Sequence, residues 1–466
     1  MISLDFNFFK ILVISFFITS CSDDKTLTQD PFVVAFEELS INHLEAGNEF
    51  DIPLIFSDIA EVEGQVLIDL QTINAVYGQD FVTQPPAENG QISVLIEAGQ
   101  TSQKIRFQKL NQNLDETSEI DFKITQINYF NSQIQGNTQY QVNASPTLGG
   151  SLSPEIGGPA EEFQVYVDLS SKSQKKVQRD HWDLGFYGGN HDRVVINSSI
   201  YMAAKSLESN DIDAVTEQSV SHLKSKVTVG TFDPANAVYV DHPDGSLEKT
   251  AISEIKLEAN ENKVYLLNLG YEVGNDTANS GSVNIAGSPR GWKKIRILKS
   301  NDTYILQYAD LNAQTHQEVT IPKKAAYNFN FFSFDTENFV SVEPEKDRWD
   351  INFTVFTNLI EDAGSYGYSD FVLHNRKAGA KAYKADEISS LTYNEFSLND
   401  IDQNAFKVDQ RAIGESWRDV FSGQVFQSPF YVVQDPNGNY YKLRFLSLTN
   451  QDGDRGYPKF EFKLLE

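Results

Sequence analysis

The only cysteine of this 466-residue chain, Cys21, stands where its thiol is expected to react. It closes the sequence Ile18-Thr19-Ser20-Cys21, at the end of an apolar run over residues 6–20. A short apolar run at the N-terminus, followed by small residues, is typical of a signal peptide rather than of a membrane-spanning helix. Because a lone cysteine forms no internal disulfide, we predict that residues 1–20 are removed and that Cys21 carries lipid, with 21–31 as a tether. The alternative is an ordinary signal peptide with an incidental cysteine.

The residues after Cys21, Ser22-Asp23-Asp24-Lys25, place an acidic pair beside the predicted lipid. Such a pair is similar to the surface-export signal of some gram-negative lipoproteins, although a solvated, charged tether explains it as well. We therefore predict a lipid-anchored protein of the outer membrane, at the cell surface. No later stretch of the sequence is apolar over a spanning length.

Composition and motifs argue against several other functions. The formal net charge of −27 disfavours binding to nucleic acid or to anionic lipid. The chain lacks the serine elbow, the zinc-protease motif, the P-loop and the Rossmann glycine pattern. Its 65 acidic residues make chance carboxylate pairs common, so such pairs do not indicate a glycosidase. We predict a protein that is not an enzyme.

The elements that would position a site are predicted to be mostly β. Aromatic residues make up 12% of the chain and suit pleated, half-buried surfaces. Within residues 32–135, several segments with alternating or apolar character predict a β-sandwich. These segments are Val33–Phe36, Val66–Ile68, Ile92–Ile96, Lys104–Phe107 and Asp121–Ile124.

The same region resembles a Calx-beta domain. The residues that carry the likeness are Ala75–Phe81, Ile96–Thr101, and Asp115 with Glu119 ahead of Phe122. The resemblance implies that acidic residues could bind calcium. Because acids are sparse here, we favour a spacer sandwich with exposed acids over a calcium site.

A stretch rich in Gly, Ser, Asn, Pro and Gln at 136–159 predicts a linker. Beyond it, three elements recur in the same order, which predicts two copies of one β unit, at 160–325 and 326–466. The first pair is His181–Phe186 with Arg348–Phe353, and the others are Val194–Asn197 with Phe371–Asn375 and Trp292–Leu298 with Tyr440–Leu446.

Local chemistry adds four expectations for these units. The aspartate of each Trp-Asp pair should accept hydrogen bonds from the turn before it. The cations of the recurring basic strands should face acidic neighbours, and short helices are expected near 211–217 and 399–406. The Asn-Gly sequence within 435–439 predicts a hairpin turn. The cations are Lys294, Arg296, Lys442 and Arg444.

The pattern of the second unit resembles the HmuY family. The likeness rests on Trp349–Thr354, Asp370–Asn375, Phe430–Val433, Tyr441–Phe445 and Gly456–Phe462. The first unit shares it more loosely. The resemblance implies an all-β surface lipoprotein that binds haem or a related porphyrin and delivers it to a receptor, for which a TonB-dependent outer-membrane protein is the expected kind. A duplicated unit and an added N-terminal sandwich depart from the single-unit members.

Haem iron takes His, Met, Tyr or Cys as axial ligands, and Cys21 is assigned to lipid. We predict His191, Met202, His374 and Tyr201 as cofactor-binding candidates, with no other metal site. The family's own ligands could not be transferred, because no matched histidine pair stands in an alignable motif. His374, at the end of an apolar strand, could equally be structural. The alternative function is a surface adhesion or interaction lipoprotein that uses the same scaffold without haem.

Overall fold

A computed structural model describes residues 31–44, 46–110, 114–275, 277–387 and 391–466. The predicted signal peptide, Cys21 and nearly all of the tether lie outside these residues. The described chain is mostly β, which confirms the predicted fold class. It comprises an N-terminal sandwich and a larger body in which two copies of one unit share their sheets.

The N-terminal sandwich forms because its strands alternate buried and exposed side chains. Its strands are β1 (Phe32–Phe36), β2 (Ser40–Asn42), β3 (Glu49–Phe56), β4 (Gly64–Ile73), β5 (Phe81–Gln84), β6 (Ala87–Glu88), β7 (Gln91–Ile96), β8 (Ser102–Lys109), β9 (Glu119–Asn128), β10 (Ser132–Gln133) and β11 (Gln139–Asn143). Ile92, Val94 and Ile96 of β7, for example, are buried while the residues between them are exposed. One sheet has the strand order β10-β1-β3-β8-β5 and the other β2-β11-β9-β4-β7-β6. All five predicted segments lie in strands.

The body contains the remaining strands, which are dominated by buried apolar and aromatic residues. The first unit supplies β13 (Phe163–Val167), β14 (Gln174–Gln178), β15 (Leu184–Tyr187), β16 (Val194–Ile196), β17 (Ala203–Ser206), β18 (Val264–Asn268), β19 (Trp292–Ser300), β20 (Thr303–Asp310) and β21 (Gln317–Pro322). The linker supplies β12 (Gly149–Leu152). The second unit supplies β22 (Phe329–Ser333), β23 (Asn338–Val340), β24 (Ile351–Ile360), β25 (Gly364–His374), β26 (Lys381–Asp386), β27 (Arg418–Asp419), β28 (Gln424–Val425), β29 (Pro429–Gln434), β30 (Tyr440–Thr449) and β31 (Arg455–Leu464).

The two units exchange their first hairpins. One sheet has the order β14-β13-β24-β25, so the first hairpin of unit 1 pairs with the second hairpin of unit 2. The other has the order β16-β15-β22-β23, which is the reverse exchange. The registers correspond, with Val167 opposite Ile351 in one sheet and Phe332 opposite Leu184 in the other. Neither unit therefore has a complete sheet of this kind from its own residues.

The aspartates of the two Trp-Asp pairs form hydrogen bonds between the exchanged units. Asp183 of unit 1 accepts a hydrogen bond from the Phe334 amide of unit 2 at 2.7 Å. Asp350 of unit 2 accepts one from the Leu169 amide of unit 1, also at 2.7 Å. The prediction that each carboxylate binds the turn before it is wrong, because the hairpin that each one caps belongs to the other unit.

The predicted linker, 136–159, contains strands. β11 pairs with β2 and β9 inside one sandwich sheet, and β12 pairs with β31 at the edge of the second unit's sheet. β12 occupies the position that β21 holds against β20 in the first unit. Gly149 is required there, because a Cβ atom would lie 2.3 Å from the Phe462 carbonyl oxygen. Part of this polar, glycine-rich segment is therefore an edge strand of the second unit's sheet, at the place where the first unit has β21.

The predicted environment of the strand cations is correct only in part. Lys294 donates to the carbonyls of Val215 and Ala313 at 2.7 and 2.8 Å. Lys442 donates to carbonyls of the 393–396 loop, and Arg296 to carbonyls at 259 and 262. Of the four cations, only Arg444 forms ion pairs within the described residues, with Glu461 and Glu387. The buried lysines therefore tie loops to sheets rather than neutralise carboxylates.

Helices are few and short. α1 (Glu217–Val220) begins where the first predicted helical stretch ends, capped by Thr216. The second predicted stretch forms only a 3-10 turn, and the Asp435–Asn439 segment forms the predicted hairpin turn between β29 and β30. The 3-10 turns are Gly158–Ala160, Arg179–His181, Ser198–Ile200, Ser221–Leu223, Pro234–Tyr239, Leu247–Lys249, Ala259–Glu261, Arg376–Ala378 and Leu398–Asp400.

The exchange predicts how a cleaved chain behaves. With a protease site inserted between Lys324 and Ala325, both exposed, cleavage would separate the two units covalently. We expect the fragments to remain together through size-exclusion chromatography, because each exchanged sheet contains backbone pairs from both. Denaturant should separate them. Fragments that elute apart in native buffer would contradict the exchanged topology.

Candidate functional site

A cavity of about 120 Å³ lies between the units, where the two Trp-Asp tryptophans approach each other. Its walls come from both copies and include aromatic rings from each. Tyr166 of unit 1 meets Trp349 of unit 2 edge-on at 5.0 Å, and Trp182 meets Phe331 in the same way at 4.8 Å. We call this space the inner cavity. The exchange of hairpins creates it, since neither unit alone supplies both walls.

His374 is the one predicted ligand that lines the inner cavity. It ends β25 at the position that corresponds to Ile196 in the first unit, and it is 1% exposed. Neither ring nitrogen has a hydrogen bond of acceptable geometry with the described residues. Burial, aided by Lys377, lowers the pKa of His374 to about 3, while Asp409 and the Val408 carbonyl oppose the shift. The imidazole is therefore neutral at physiological pH.

Two further polar atoms that line this cavity lack a partner among the described residues. They are Nε1 of Trp349 and Oδ1 of Asn352. The corresponding tryptophan, Trp182, instead donates its Nε1 hydrogen to Gln164 at 2.8 Å. Since buried polar groups are nearly always hydrogen-bonded, these atoms and His374 are arranged to meet something that enters the cavity, water included.

Three ionisable groups surround the same cavity. Burial raises the pKa of Glu343 to about 7 and that of Asp241 to about 6. Both carboxylates accept main-chain hydrogen bonds, Glu343 from Phe329 at 2.8 Å and Asp241 from Ile196 at 2.9 Å. Burial lowers the pKa of Lys377 to about 8, and its amine donates to Gln410 at 2.7 Å. The cavity can therefore offer both a proton donor and a cation.

The segment 241–250 covers the inner cavity and is fixed to both units. Asp241 holds it to β16, while the side chains of Arg376 and Gln410 donate to the carbonyls of residues 244 and 243. Burial alone would raise the pKa of Asp244, but hydrogen bonds from Ser246 and Lys249 lower it to about 2. The segment is thus a covering loop tied down by charge at neutral pH.

An open cleft of about 600 Å³ adjoins the inner cavity, and Asn328 and Lys377 line both spaces. We call it the outer cleft. Its walls include Tyr187, the glycine loop that follows, and Lys346. Pockets for drug-sized ligands measure roughly 300–1,000 Å³. The outer cleft falls in this range, whereas the inner cavity is smaller.

The other three predicted ligands do not line the inner cavity. His191 is exposed beyond the glycine loop, with its ring 6.5 Å from that of Tyr187. Met202 is fully buried in the apolar core of the first unit. Tyr201 is half-buried at a positive φ of 65° and lies against Gly367, and burial raises the pKa of its hydroxyl. The structure therefore does not bring the four residues together.

The donor set fits haem in one respect and not in another. A neutral imidazole without hydrogen bonds is a suitable axial ligand. The inner cavity does not have the volume for a porphyrin, so of these two adjoining spaces the outer cleft is the one with room for the macrocycle. Within the described chain, no three His, Cys, Asp or Glu side chains gather as a metal site. Asp115, of the calcium alternative, instead accepts hydrogen bonds from Thr117 and Ser118.

Sequence reasoning missed the rest of the site, namely Trp349, Asn352, Glu343, Asp241 and Lys377. The repeat points only to their neighbour His374, because it places a histidine at 374 where the first unit has Ile196. A polar residue that replaces an apolar one in a buried repeat position marks a specialised site. No such signal marks Glu343 or Lys377.

Comparison with known proteins identifies the body. The family described as HmuY protein matches residues 160–314 and 325–462, more than half of the chain. The chain belongs to the HmuY family. The two matches confirm the duplication, and the exchanged hairpins show that the two HmuY units form one folded body. No curated protein matches the chain.

Solved structures add distant likenesses. The apo form of the Calx CBD1 domain is 13% identical, with 24% of this chain and 97% of that chain covered and a TM-score of 0.20. CBD12 from CALX1.2 is 12% identical, with 31% and 75% covered and a TM-score of 0.19. A Bacteroides ovatus protein of unknown function is 10% identical, with 65% and 98% covered and a TM-score of 0.18. These scores are too low to support an argument about fold or function.

No helix among the described residues has both the length and the apolar character needed to cross a bilayer.

Proposed function

We propose that this HmuY-family protein is a non-catalytic surface lipoprotein that binds haem or a related porphyrin and delivers it to an outer-membrane receptor. The observation that carries the proposal is His374, a neutral, buried imidazole of the inner cavity whose ring nitrogens have no hydrogen bond of acceptable geometry among the described residues. Family membership supports haem as the ligand class.

The outer cleft is the part of the site with room for a porphyrin. Lys377 and Lys346 line it, and with its pKa of about 8 Lys377 is mostly protonated at pH 7. These cations suit the two propionates of haem. Because Lys377 lines both spaces, contact between a ligand in the outer cleft and His374 in the inner cavity requires the Lys377 side chain to move.

A titration with hemin tests the proposal. We expect the Soret band to shift and sharpen up to one equivalent of wild-type protein. The variant His374→Ile should bind at least tenfold more weakly, and it should fold because isoleucine occupies the corresponding position, Ile196. The matched control, His191→Ala, alters an exposed histidine outside the inner cavity and should titrate like wild type. No Soret shift, or the same shift in His374→Ile, would overturn the assignment.

A second candidate function is a surface interaction lipoprotein that binds no haem. The observation that favours it is the separation of the four predicted ligands, together with the small volume of the inner cavity. It predicts a folded protein that leaves the hemin spectrum unchanged. It also predicts that His374→Ile leaves any adherence of whole cells unaltered.

A further inference from the structure

One end of the N-terminal sandwich exposes apolar loop tips. Phe130 is 75% exposed, Ile59 57% and Val62 54%. They surround Pro31, where the described chain begins, and the loops enclose a space of about 500 Å³. We call this the proximal end. Large apolar side chains clustered at loop tips are unusual on a surface that contacts only water.

The proximal end points away from the HmuY body. β4 begins at the proximal end with Gly64 and ends at Ile73, which lies opposite Glu119. Its ten residues span roughly 33 Å at the usual rise of a strand. β11 runs toward the same distant end, where Val142 lies opposite Ile120, and it leads into the linker. The sandwich therefore carries the chain's start and the body at opposite ends.

Contacts at the distant end fix the body to the sandwich. The amine of Lys172, in the first HmuY unit, pairs with the Glu38 carboxylate. The Leu39 amide donates to the Gly149 carbonyl at 3.2 Å. Among the described residues, these contacts place the body at the end of the sandwich opposite the proximal end.

The apolar tips are held in place rather than loose. The rings of Phe32 and Tyr129 stack with their centroids 4.0 Å apart. The Tyr129 hydroxyl oxygen accepts a hydrogen bond from the Glu61 amide at 2.7 Å. The loop that carries Ile59 and Val62 is thereby joined to the loop that carries Phe130. A fixed apolar surface binds with less loss of conformational entropy than a mobile one.

We infer that the proximal end inserts its apolar tips into the lipid bilayer that carries the anchor, an inference that rests on the proposed lipid at Cys21. Nine residues, 22–30, lie between Cys21 and Pro31, and the ten residue steps from one to the other span at most about 36 Å. The proximal end therefore stays within reach of the membrane. Phenylalanine and aliphatic residues at an interface partition into the boundary between headgroups and acyl chains.

The charge of the proximal end narrows the kind of lipid. Asp58, Glu61 and Glu63 are exposed beside the apolar tips. Carboxylates are repelled by anionic headgroups, so the surface suits zwitterionic lipids such as phosphatidylcholine or phosphatidylethanolamine.

Fluorescence quenching by brominated lipid tests the inference on acylated, full-length protein in phosphatidylcholine vesicles. The probe variant is Phe130→Trp. The control variant is Val76→Trp, which alters a residue 49% exposed at the distant end. The chain's four tryptophans all lie beyond residue 160, and the protein without either substitution gives their background. We expect at least threefold more quenching of the tryptophan at 130 than of that at 76, and less when phosphatidylglycerol is added.

Three outcomes would overturn the inference that the tips enter the bilayer. Equal quenching at both positions excludes bilayer contact, and stronger quenching with phosphatidylglycerol excludes the zwitterionic surface. If, without vesicles, the tryptophan at 130 becomes less accessible to a water-soluble quencher as the protein concentration rises, a second copy of the chain covers the tips.

Palmitate labelling separates failure of the contact from failure of the anchor. Labelled palmitate is expected in wild type and not in Cys21→Ala. Failure of that labelling would refute the anchor itself, whereas labelled protein without quenching refutes only the contact.

Discussion

Replacing Asp183 by asparagine should lower the free energy of unfolding by about 3 kcal/mol, whereas the same change at Asp350 should alter it by less than about 1 kcal/mol. The two aspartates occupy equivalent positions in the two units and cap equivalent hairpins. They differ in their charge environment. Asp183 lies 2.6 Å from Arg290, while the charges that act on Asp350 are the carboxylates of Asp168 and Asp435.

The surroundings of the two carboxyl groups explain why the loss of stability should be larger at Asp183 than at Asp350. Burial raises the pKa of Asp350 well above its usual value, so an amide resembles the carboxyl group already present. At Asp183 burial also raises the pKa, but Arg290 opposes the shift. Among the described residues, asparagine would leave Arg290, whose side chain is 5% exposed, with the exposed carboxylate of Asp335 as its ion-pair partner, beside a hydrogen bond to the Leu269 carbonyl. A buried cation without its partner is strongly destabilising.

Urea denaturation followed by circular dichroism at pH 7 measures both variants. Adding Arg290→Met to Asp183→Asn removes the orphaned charge, so the double variant should recover part of the lost stability. Equal losses for the two asparagine variants would contradict the role of Arg290.

The amount of fold that could be predicted follows from which interactions are local. Strand character, the hairpin turn at 435–439 and the duplication depend on nearby residues or on repeated motifs, and the structure confirms them. The choice of which hairpin each hairpin pairs with does not depend on nearby residues or on repeated motifs. Leu184 and Ile351 stand in similar strands, so either could pair with either first hairpin. Only the packed body selects the exchange.

The site was predictable to the same extent. His374 stood out because it ends an apolar strand. Glu343 and Lys377 carry no local signal, since their burial follows from loops that the exchange brings together. The prediction that Lys294 and Lys442 face acidic residues failed for a related reason. Their amines donate to main-chain carbonyl groups of loops that are distant in the sequence.

The second large effect is expected in acid. His374→Ile should gain stability relative to wild type as the pH falls below 6.5, by about 2–3 kcal/mol at pH 4.5. In the folded protein burial lowers the pKa of His374 to about 3, from an ordinary value of 6.5. Between these values the unfolded chain binds a proton that the folded chain refuses. The histidine's contribution is therefore intact above pH 6.5 and is lost as the pH falls toward 3.

Other buried groups act with the opposite sign, which makes the comparison between the two proteins necessary. Glu343 and Asp241 have raised pKa values, about 7 and about 6, so the folded protein binds their protons more tightly than the unfolded chain does. Their contribution rises as the pH falls through those values. Both groups are present in wild type and in His374→Ile, so the difference in unfolding free energy isolates the histidine.

Denaturation midpoints measured from pH 7.5 to pH 4 give that difference directly. A difference that stays constant across this range would mean that His374 is accessible to protons in the folded protein, so that the inner cavity is open to water. In that case the claim that the segment 241–250 covers the cavity would be wrong, because a cavity open to water would let His374 titrate near its ordinary pKa. A growing difference would show that His374 stays neutral in the folded protein, as the haem assignment requires.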